Sequence, residues 1–470
     1  MSAAPPLSVS LLIADHISGV SRDETGKPAL AAAKRSLLDA IGVSIAASGL
    51  EPACQPFRDI AIEQGRGSCT ILGWGDRVSL SGAVSANGAM AHAIDFEDVY
   101  DRSPIHANSC TIAAALGVAQ QRGGVSGKDL LAAIALGSDL VCRLALALKE
   151  DPSVHGWYIP PILGAYGATA AAARLMGLTA VQTVDAFAMT LSQVTCPTEF
   201  KRSPRSALRA IRDGFAASGA VMSAQLAVRG VAGFDYPFEG EAGLFALYAG
   251  GNFDSAPLVD DLGKRFYGED VSFKAWPACR GTHAFIETAL AIARDPDWSA
   301  SEVISIEASG SAFLSFLAEP KEKKSRPATA IDAKFSIPFN VGHALVHGMP
   351  AIDSYGAEQL NDERILELSD LVTFRPIDGG FRDASAGALT VVLRNGRQLT
   401  RRVDFAYGHP SNPIAESELI AKFKSCAKHG ARALDNDIID RFLAALDTLE
   451  DNLSDGGSVL LDILYPESTS

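Results

Sequence analysis

Apolar residues recur at three- and four-residue spacings through about the first 268 residues, which is the pattern of packed helices. Apolar and polar residues almost never alternate there, so we predict that 1–268 is an all-α domain. Glycines at 123, 124 and 177 fall where apolar runs stop, as helix C-termini require. The predicted helices cover 30–47, 81–95, 109–121, 127–148, 162–175, 179–193 and 213–228.

The pattern changes after Gly268. Residues 303–308 alternate and predict a strand, and the runs 389–394 and 397–403 flank Asn395-Gly396, a favoured two-residue hairpin turn. Helices are predicted around 282–294 and 339–347, so we expect 269–410 to be a smaller α+β domain. The predicted fold is therefore mainly α, with one large and one small domain. The segment 411–470 carries two amphipathic helices, and the pattern leaves open whether they return to the helical domain.

Composition limits the functions to consider. The chain has 470 residues, which is too long for one core, and its 47% hydrophobic and 20% charged residues are typical of a globular protein. The formal charge of −14 argues against a nucleic-acid partner. It does not exclude a small anionic substrate, because a local group of arginines can override the net charge.

The cysteines and the N-terminus favour a cytoplasmic protein. Seven cysteines are scattered without a C-x-x-C pair, which is typical of reduced thiols rather than of disulfides or zinc ligands. The N-terminal apolar run lacks a basic region and contains Asp15 and His16, so no signal peptide is predicted. The apolar stretch 130–148 contains Asp139 and Arg143, and we predict no membrane span.

Titratable residues crowd an otherwise apolar segment between Asn87 and His106. His92 and Asp95 are three residues apart and share a face if the predicted helix continues to about Asp98. His106 comes just before the next predicted helix, whose N-terminus attracts anions. This arrangement suggests acid–base chemistry on a small anion, and the alternative is a solvated helix end with one buried histidine.

Two details of this segment depend on local structure. Asn108 and Ser109 are predicted N-caps of the helix that follows. His92, Asp95, Asp98 and His106 are residue types that bind metals, but their spacing matches no standard ligand motif, so we predict no metal.

Further candidates lie downstream. Tyr158 precedes two prolines at a helix entrance, where its phenol could face a substrate or pack against Trp157. A basic group follows, and Arg205, Arg209 and Arg212 have the spacing of one helical face; guanidinium groups bind carboxylates in bidentate fashion. The alternative is an exposed basic face. The basic group comprises Lys201, Arg202, Arg205, Arg209 and Arg212.

The stretch from Lys274 to His283 opens another predicted helix. Cys279 has no base nearby in the sequence, so we expect a positioning or capping role rather than a nucleophile. No Walker loop, no G-x-G-x-x-G after a strand and no G-x-S-x-G motif occurs, so nothing predicts a nucleotide or redox cofactor.

Taken in order, these segments resemble the MmgE/PrpD family over nearly the whole chain. The most recognisable motif runs from Ala86 through His92, Asp95 and Asp98. The other matching segments are 33–47, 164–177, 214–217, 274–279 with His283, and 333–338.

The resemblance implies a helical domain with a smaller α+β domain, usually as a homodimer, and cofactor-free chemistry on di- or tricarboxylates. Members include dehydratases, decarboxylases and epimerases. Asp95 and His106 match residues that line the family's active site, whereas several other positions depart from it. The departures are Tyr158 for histidine, Arg209 for lysine, Arg212 for histidine, Val99 for threonine and Phe339 for tyrosine.

We therefore expect a cofactor-independent lyase or isomerase of a small carboxylate. His106 would move a proton at the carbon α to a carboxylate, Asp95 would orient it or accept a proton, and Tyr158 would supply a second donor. The substrate would be held by Arg205, Arg209, Arg212, Lys274, Cys279 and His283. Two alternatives remain open: a non-catalytic carboxylate-binding protein of this fold, and a metal-dependent hydrolase using His92, Asp95, Asp98 and His106.

Overall fold

The chain divides into two compact units. The computed structural model describes residues 8–103, 105–203, 205–377 and 385–466. The first unit consists of Met1–Val271 with Glu416–Ser470, and the second of Ser272–Ala415. Helices dominate the described residues, which confirms the prediction of a mainly α fold.

The first unit contains a helix at every position predicted within 1–268, with ends shifted by a few residues. Gly123 and Gly177 are C-caps with positive φ, as expected. The helices before the second unit are α1 Val9–Gly19, α2 Lys27–Leu50, α3 Gln55–Glu63, α4 Leu80–Ala91, α5 Ser109–Arg122, α6 Gly127–Ala147, α7 Ile159–Met176, α8 Ala180–Leu191, α9 Leu208–Ile211, α10 Asp213–Ala227, α11 Leu244–Tyr248 and α12 Ala256–Val259.

The prediction that 1–268 is all-α is wrong in one respect. Strands β1 (Arg66–Thr70) and β2 (Arg77–Val78) form a small antiparallel pair. The first three residues of β1 are exposed and β2 has only two residues, so neither strand leaves an alternating apolar pattern in the sequence.

Close helix contacts at glycines build the core of this unit. A Cβ on Gly214 of α10 would lie 2.6 Å from the carbonyl oxygen of Ser85 in α4, and one on Gly88 would lie 3.0 Å from the carbonyl oxygen of Asp213. A Cβ on Gly137 of α6 would lie 2.5 Å from the carbonyl oxygen of Gly167 in α7. The small-residue helices therefore approach one another backbone to backbone.

Helix α6 is long and apolar enough to cross a membrane, and 94% of that stretch is buried inside the protein. Within it, Arg143 Nε lies 2.6 Å from Asp139 Oδ2. A second candidate span exists only if Lys27–Leu50 and Pro52–Glu63 are joined, and that pair is bent by 97°.

The end of the chain returns to the first unit. The Phe423 and Phe442 rings stack with their centres 4.8 Å apart, so the two C-terminal helices that carry them pack together. A Cβ on Gly42 of α2 would lie 3.0 Å from the Phe423 ring, so this aromatic pair packs directly on α2. These C-terminal helices are Glu416–Lys428, Asn436–Asp447 and Gly456–Leu464, numbered α19 to α21 after the helices of the second unit.

The second unit is α+β. Its four strands lie in the order β4-β3-β5-β6, with β3 parallel to β4 and antiparallel to β5. The predicted hairpin is confirmed, because β5 pairs antiparallel with β6 and Gly396 in the turn has φ +84°. The strands are β3 Val303–Gly310, β4 Val372–Pro376, β5 Gly387–Leu393 and β6 Gln398–Val403, and the helices are α13 His283–Ala293, α14 Lys321–Ser325, α15 Ala330–Lys334, α16 Ile337–His347, α17 Ala357–Leu360 and α18 Glu363–Asp370.

Candidate active site

The segment after α4 is a tight loop. The helix ends at Ala91 with His92 as its C-cap, and Asp95 has a left-handed backbone with φ +56°. Aspartate tolerates this conformation better than most residues do. The prediction that the helix continues to about Asp98 is therefore wrong, and His92 and Asp95 come together through a turn instead.

Glu97 joins the two histidines of the loop. Its Oε1 lies 2.6 Å from Nδ1 of His92 and 2.8 Å from Nδ1 of His106. The two imidazole centres are 4.6 Å apart. His92 is buried, whereas the His106 side chain keeps 12% of its surface exposed. Of the two, His106 is the one that is partly accessible from outside the protein.

These contacts assign the histidine tautomers. His106 Nδ1 also lies 2.8 Å from the carbonyl oxygen of Asp98, and both acceptors require a proton on Nδ1. Nε2 of His106 is then the basic nitrogen. Burial, followed by the charge of Arg212, lowers the pKa of His92 and favours its neutral form.

Asp98 serves the loop rather than a substrate. The amide nitrogen of Asn108 donates to Asp98 Oδ2 at 2.5 Å and to Ser36 Oγ of α2 at 3.1 Å. Burial, reinforced by the charge of Asp39, raises the pKa of Asp98 to about 7. Asn108 occupies the N-cap position of α5, but its side chain makes no capping bond, and Ser109 donates to Asp213. The capping prediction is therefore wrong for both side chains.

The arginines do not share one helical face. Helix α9 covers only Leu208–Ile211, so Arg205 precedes it and is exposed. Arg212 lies between α9 and α10 with helical dihedrals. The spacing was misleading because the helix begins after Arg205. Arg209 Nη2 lies 3.6 Å from Asp95 Oδ1, which in turn lies 3.5 Å from His92 Nε2.

Arg212 and Tyr158 form the second half of the site. Arg212 is buried, its guanidinium lies 4.6 Å from the centre of the Tyr158 ring, and its Nη2 is 3.4 Å from the phenol oxygen. Its Nε and Nη1 are buried without a hydrogen-bond partner among the described residues. The Lys201 ammonium lies over the same ring at 4.6 Å, and burial, followed by the charges of Arg209 and Arg212, lowers the pKa of Lys201.

Lys274, Cys279 and His283 belong to the second unit. Lys274 and His283 are buried there, and Nδ1 of His283 lies 3.4 Å from Arg280 Nη1. The backbone N–H of Cys279 donates to the carbonyl oxygen of Lys334 at 3.0 Å. A role in substrate binding stays a prediction for all three residues.

Glu97 was missed as a candidate site residue, and Lys201 was noted in the basic group without a role. Both lie beside predicted site residues, but nothing in the spacing shows that Glu97, rather than Asp95, contacts His106.

The structure also changes which residues could bind a metal. The ligand atoms of His92, Glu97 and His106 lie within 4.8 Å of one another, whereas the Asp98 side chain is engaged by Asn108. Glu97 Oε1 lies 2.6 and 2.8 Å from the Nδ1 atoms of the two histidines, which are the distances of direct N–H···O hydrogen bonds. The three residues therefore fit a hydrogen-bonded group at least as well as a metal site.

Comparison with known proteins covers both units. Residues 12–256 match the MmgE/PrpD N-terminal domain, and residues 276–447 match the MmgE/PrpD C-terminal domain. Cis-aconitate decarboxylase of Mus musculus is 24% identical over 450 residues, covering 94% of this chain and 91% of the relative. The enzyme of that name from Homo sapiens is 24% identical with 94% and 92% coverage, and one from Aspergillus terreus is 21% identical with 87% of each chain covered. The chain belongs to the MmgE/PrpD family.

Proposed function

We propose that this protein is a cofactor-independent lyase or isomerase that transfers a proton at the carbon α to a carboxylate of a small di- or tricarboxylate. The proton is removed from this carbon in a dehydration or epimerisation, and is delivered to it after loss of CO₂ in a decarboxylation. Its family and its relatives named cis-aconitate decarboxylase support an enzyme of the dehydratase and decarboxylase class acting on tricarboxylate-like substrates. The relatives' substrate is the first to test. Dehydration, decarboxylation and epimerisation remain open because each includes a proton transfer at such a carbon.

The buried donors of Arg212 carry the proposal. Its Nε and Nη1 have no hydrogen bond among the described residues, although Nε faces Asp213 Oδ1 at 3.6 Å. Buried polar groups in proteins are nearly always hydrogen-bonded, so the Nη1 donor indicates a place for an anionic ligand. A carboxylate would accept from Nη1 together with Nη2 in bidentate fashion. Arg209 and Lys201 add positive charge nearby, whereas the exposed Arg205 has no contact among the described residues that supports a binding role.

His106 is the proposed base. Its Nδ1 proton is held by Glu97 and by the Asp98 carbonyl, so Nε2 can accept the proton from carbon. Glu97 takes the orienting role that we expected of Asp95. Asp95 instead lies between His92 and Arg209, where it favours one placement of the guanidinium group.

Tyr158 is the proposed second proton donor. Its phenol lies beside Arg212, so one carboxylate bound there would contact both residues. Arginine stays protonated in proteins and cannot replace the histidine or lysine found in relatives of this family. This half of the site offers two titratable groups for the return of a proton, the phenol and the Lys201 ammonium over its ring, and the phenol is the one beside Arg212.

A cytoplasmic homodimer completes the proposal. Helix α10 exposes Phe215, Met222 and Leu226, which keep 59%, 49% and 38% of their residue surface accessible. Successive members are seven and four residues apart, so they lie on the same face of the helix. A second copy of the chain would cover this exposed apolar face. Light scattering of the purified protein would give twice the chain mass of 49.3 kDa.

Turnover of cis-aconitate and of hydroxy- and amino-dicarboxylates, followed by NMR, tests the function. We expect at least one to react, and His106→Gln to lower kcat by about 100-fold or more. His155→Gln is the matched control, because His155 is exposed and its imidazole pairs with Glu150 at the surface. Equal rates for both variants would show that His106 is not the base.

The same assay separates the alternatives. Thermal stabilisation by carboxylates without turnover of any of them would indicate a non-catalytic binding protein. Bound metal by elemental analysis, with activity lost on chelation, would indicate metal chemistry at His92, Glu97 and His106.

A further inference from the structure

A buried lysine from the C-terminal segment contacts the candidate active-site loop. Lys422 lies in α19, and its ammonium is 2.6 Å from Asp39 Oδ1 of α2. The same ammonium donates to the carbonyl oxygen of Phe96 at 2.6 Å and lies 3.9 Å from the centre of the Phe96 ring. The Lys422 and Asp39 side chains are only 6% and 1% exposed.

The contact between Lys422 and Phe96 is important because of its position in the candidate active-site loop. Phe96 lies between Asp95, which has the left-handed backbone, and Glu97, which contacts both histidines. A charge-assisted bond to the Phe96 carbonyl fixes the peptide plane from which Glu97 continues. The other end of the loop is held separately, since Asn108 bridges Asp98 to Ser36 of α2.

We propose that Lys422 is a positioning residue for proton transfer, which holds the Phe96 peptide so that Glu97 can orient His106. The proposal rests on the proposed function, because it gives Lys422 an effect on turnover beyond its effect on folding. Lys422 does not touch a substrate. It acts through a backbone carbonyl and then through Glu97, and Asp39 is its buried ion-pair partner.

The consequence is a selective loss of rate. A shift of the Phe96 peptide changes the 2.8 Å contact between Glu97 and His106, while the carboxylate-binding groups around Arg212 stay in place. Displacements of about 1 Å of reacting groups lower rates by as much as about 100-fold. Lys422→Met is therefore expected to lower kcat by about 10- to 100-fold and to change KM by less than about three-fold.

The matched control is Lys424→Met, two residues along the same helix. Lys424 is exposed and pairs with Asp440 at 2.8 Å, so its loss should leave both constants unchanged. Lys422→Arg keeps the charge and a donor for the Phe96 carbonyl, and should recover part of the lost kcat. A Lys422→Met variant with wild-type kcat, or one that loses only stability, would overturn the proposal.

A second variant separates positioning from a buried ion pair. Asp39→Asn combined with Lys422→Met leaves no uncompensated charge, so it guards against simple unfolding. If Lys422 only balances Asp39, this double variant recovers wild-type kcat, and the proposal is wrong. If Lys422 positions the loop, kcat stays low although the thermal transition recovers.

Hydrogen exchange tests the contact without any substrate. Amides from Asp95 to Ala107 should exchange faster in Lys422→Met than in Lys424→Met, with little change in the second unit. Unchanged exchange in this loop would contradict the proposal even if the enzyme is active. Faster exchange in the loop of a protein that turns over no carboxylate would instead confirm the tether and reject the proposed function.

Discussion

At the residue scale, three carboxylates within four positions have different surroundings and therefore different roles. Asp95 takes the left-handed backbone and lies near Arg209, Glu97 contacts both histidines, and Asp98 is enclosed beside Asn108. The sequence places all three in one motif, which made the site itself predictable. It does not distinguish their partners, because these depend on a turn at Asp95 that helical spacing does not show.

Glu97→Gln tests the orienting role. Both imidazoles contact one oxygen of Glu97, and the neutral oxygen of a glutamine accepts more weakly than a carboxylate oxygen, so it holds the two N–H groups less firmly. We expect kcat to fall by about 100-fold with little change in KM. Nitrogen NMR of the His106 ring should show loss of the Nδ1–H tautomer, and an unchanged tautomer with an unchanged rate would contradict the assignment.

Asp98 makes stability depend on pH. Its pKa of about 7 lies above the ordinary value of 3.8, so the folded protein keeps a proton that the unfolded chain releases. Stability from this group is present below about pH 4 and is lost as pH rises to about 7, by at most a few kcal/mol. In Asp98→Asn, the thermal transition should therefore fall less between pH 5 and 8 than in the wild type, and parallel curves would contradict the shift.

At the element scale, the crossing of α4 and α10 places the two halves of the site. Both helices have glycine at the contact, and α10 begins at Asp213, next to Arg212. The apolar periodicity predicts both helices, and the Asn-Gly dipeptide predicts the hairpin of the second unit. The pattern could not predict α9 as a single turn, because three arginines at helical spacing look the same whether or not a helix connects them.

Gly214→Ala tests this crossing. The new Cβ would lie 2.6 Å from a backbone oxygen of α4, so we expect destabilisation by about 1–3 kcal/mol in denaturant unfolding. Gly219→Ala is the control in the same helix, where the nearest atom is 3.4 Å away. That change should be neutral or stabilising, since alanine favours helix over glycine by about 1 kcal/mol. Equal destabilisation of both variants would argue against a close crossing.

At the scale of the whole molecule, the chain leaves the first unit, builds the second and then returns. The apolar pattern predicts α19 and α20 but misses α21. It also does not predict where these helices pack, because an amphipathic face does not identify the surface that covers it. Phe423 packs where Gly42 of α2 leaves room, a complementarity between positions far apart in the sequence. The C-terminal segment is thus part of the core beneath the candidate site.

Separate fragments test this organisation. The second unit has its own buried cluster, which includes Phe285, Ile306 and Phe339, so residues 272–415 should fold alone with dispersed NMR signals. Residues 1–271 lack the helices that cover α2 and should unfold or aggregate unless 416–470 is supplied. A cooperative, stable fragment 1–271 would contradict a structural role for the C-terminal helices.

Solvent deuterium incorporation tests the central claim most directly, because dehydration, decarboxylation and epimerisation all involve proton transfer at carbon. The protein is incubated in D₂O with cis-aconitate and the dicarboxylates above, and substrate and product are followed by NMR. We predict that the wild type places deuterium at the reacting carbon and that His106→Gln does not, whereas His155→Gln behaves as wild type. For a dehydration, which delivers no solvent hydrogen to the product, the deuterium is sought in recovered substrate. Epimerised substrate or decarboxylated product without deuterium at that carbon, or incorporation that survives in His106→Gln, would contradict proton transfer by His106.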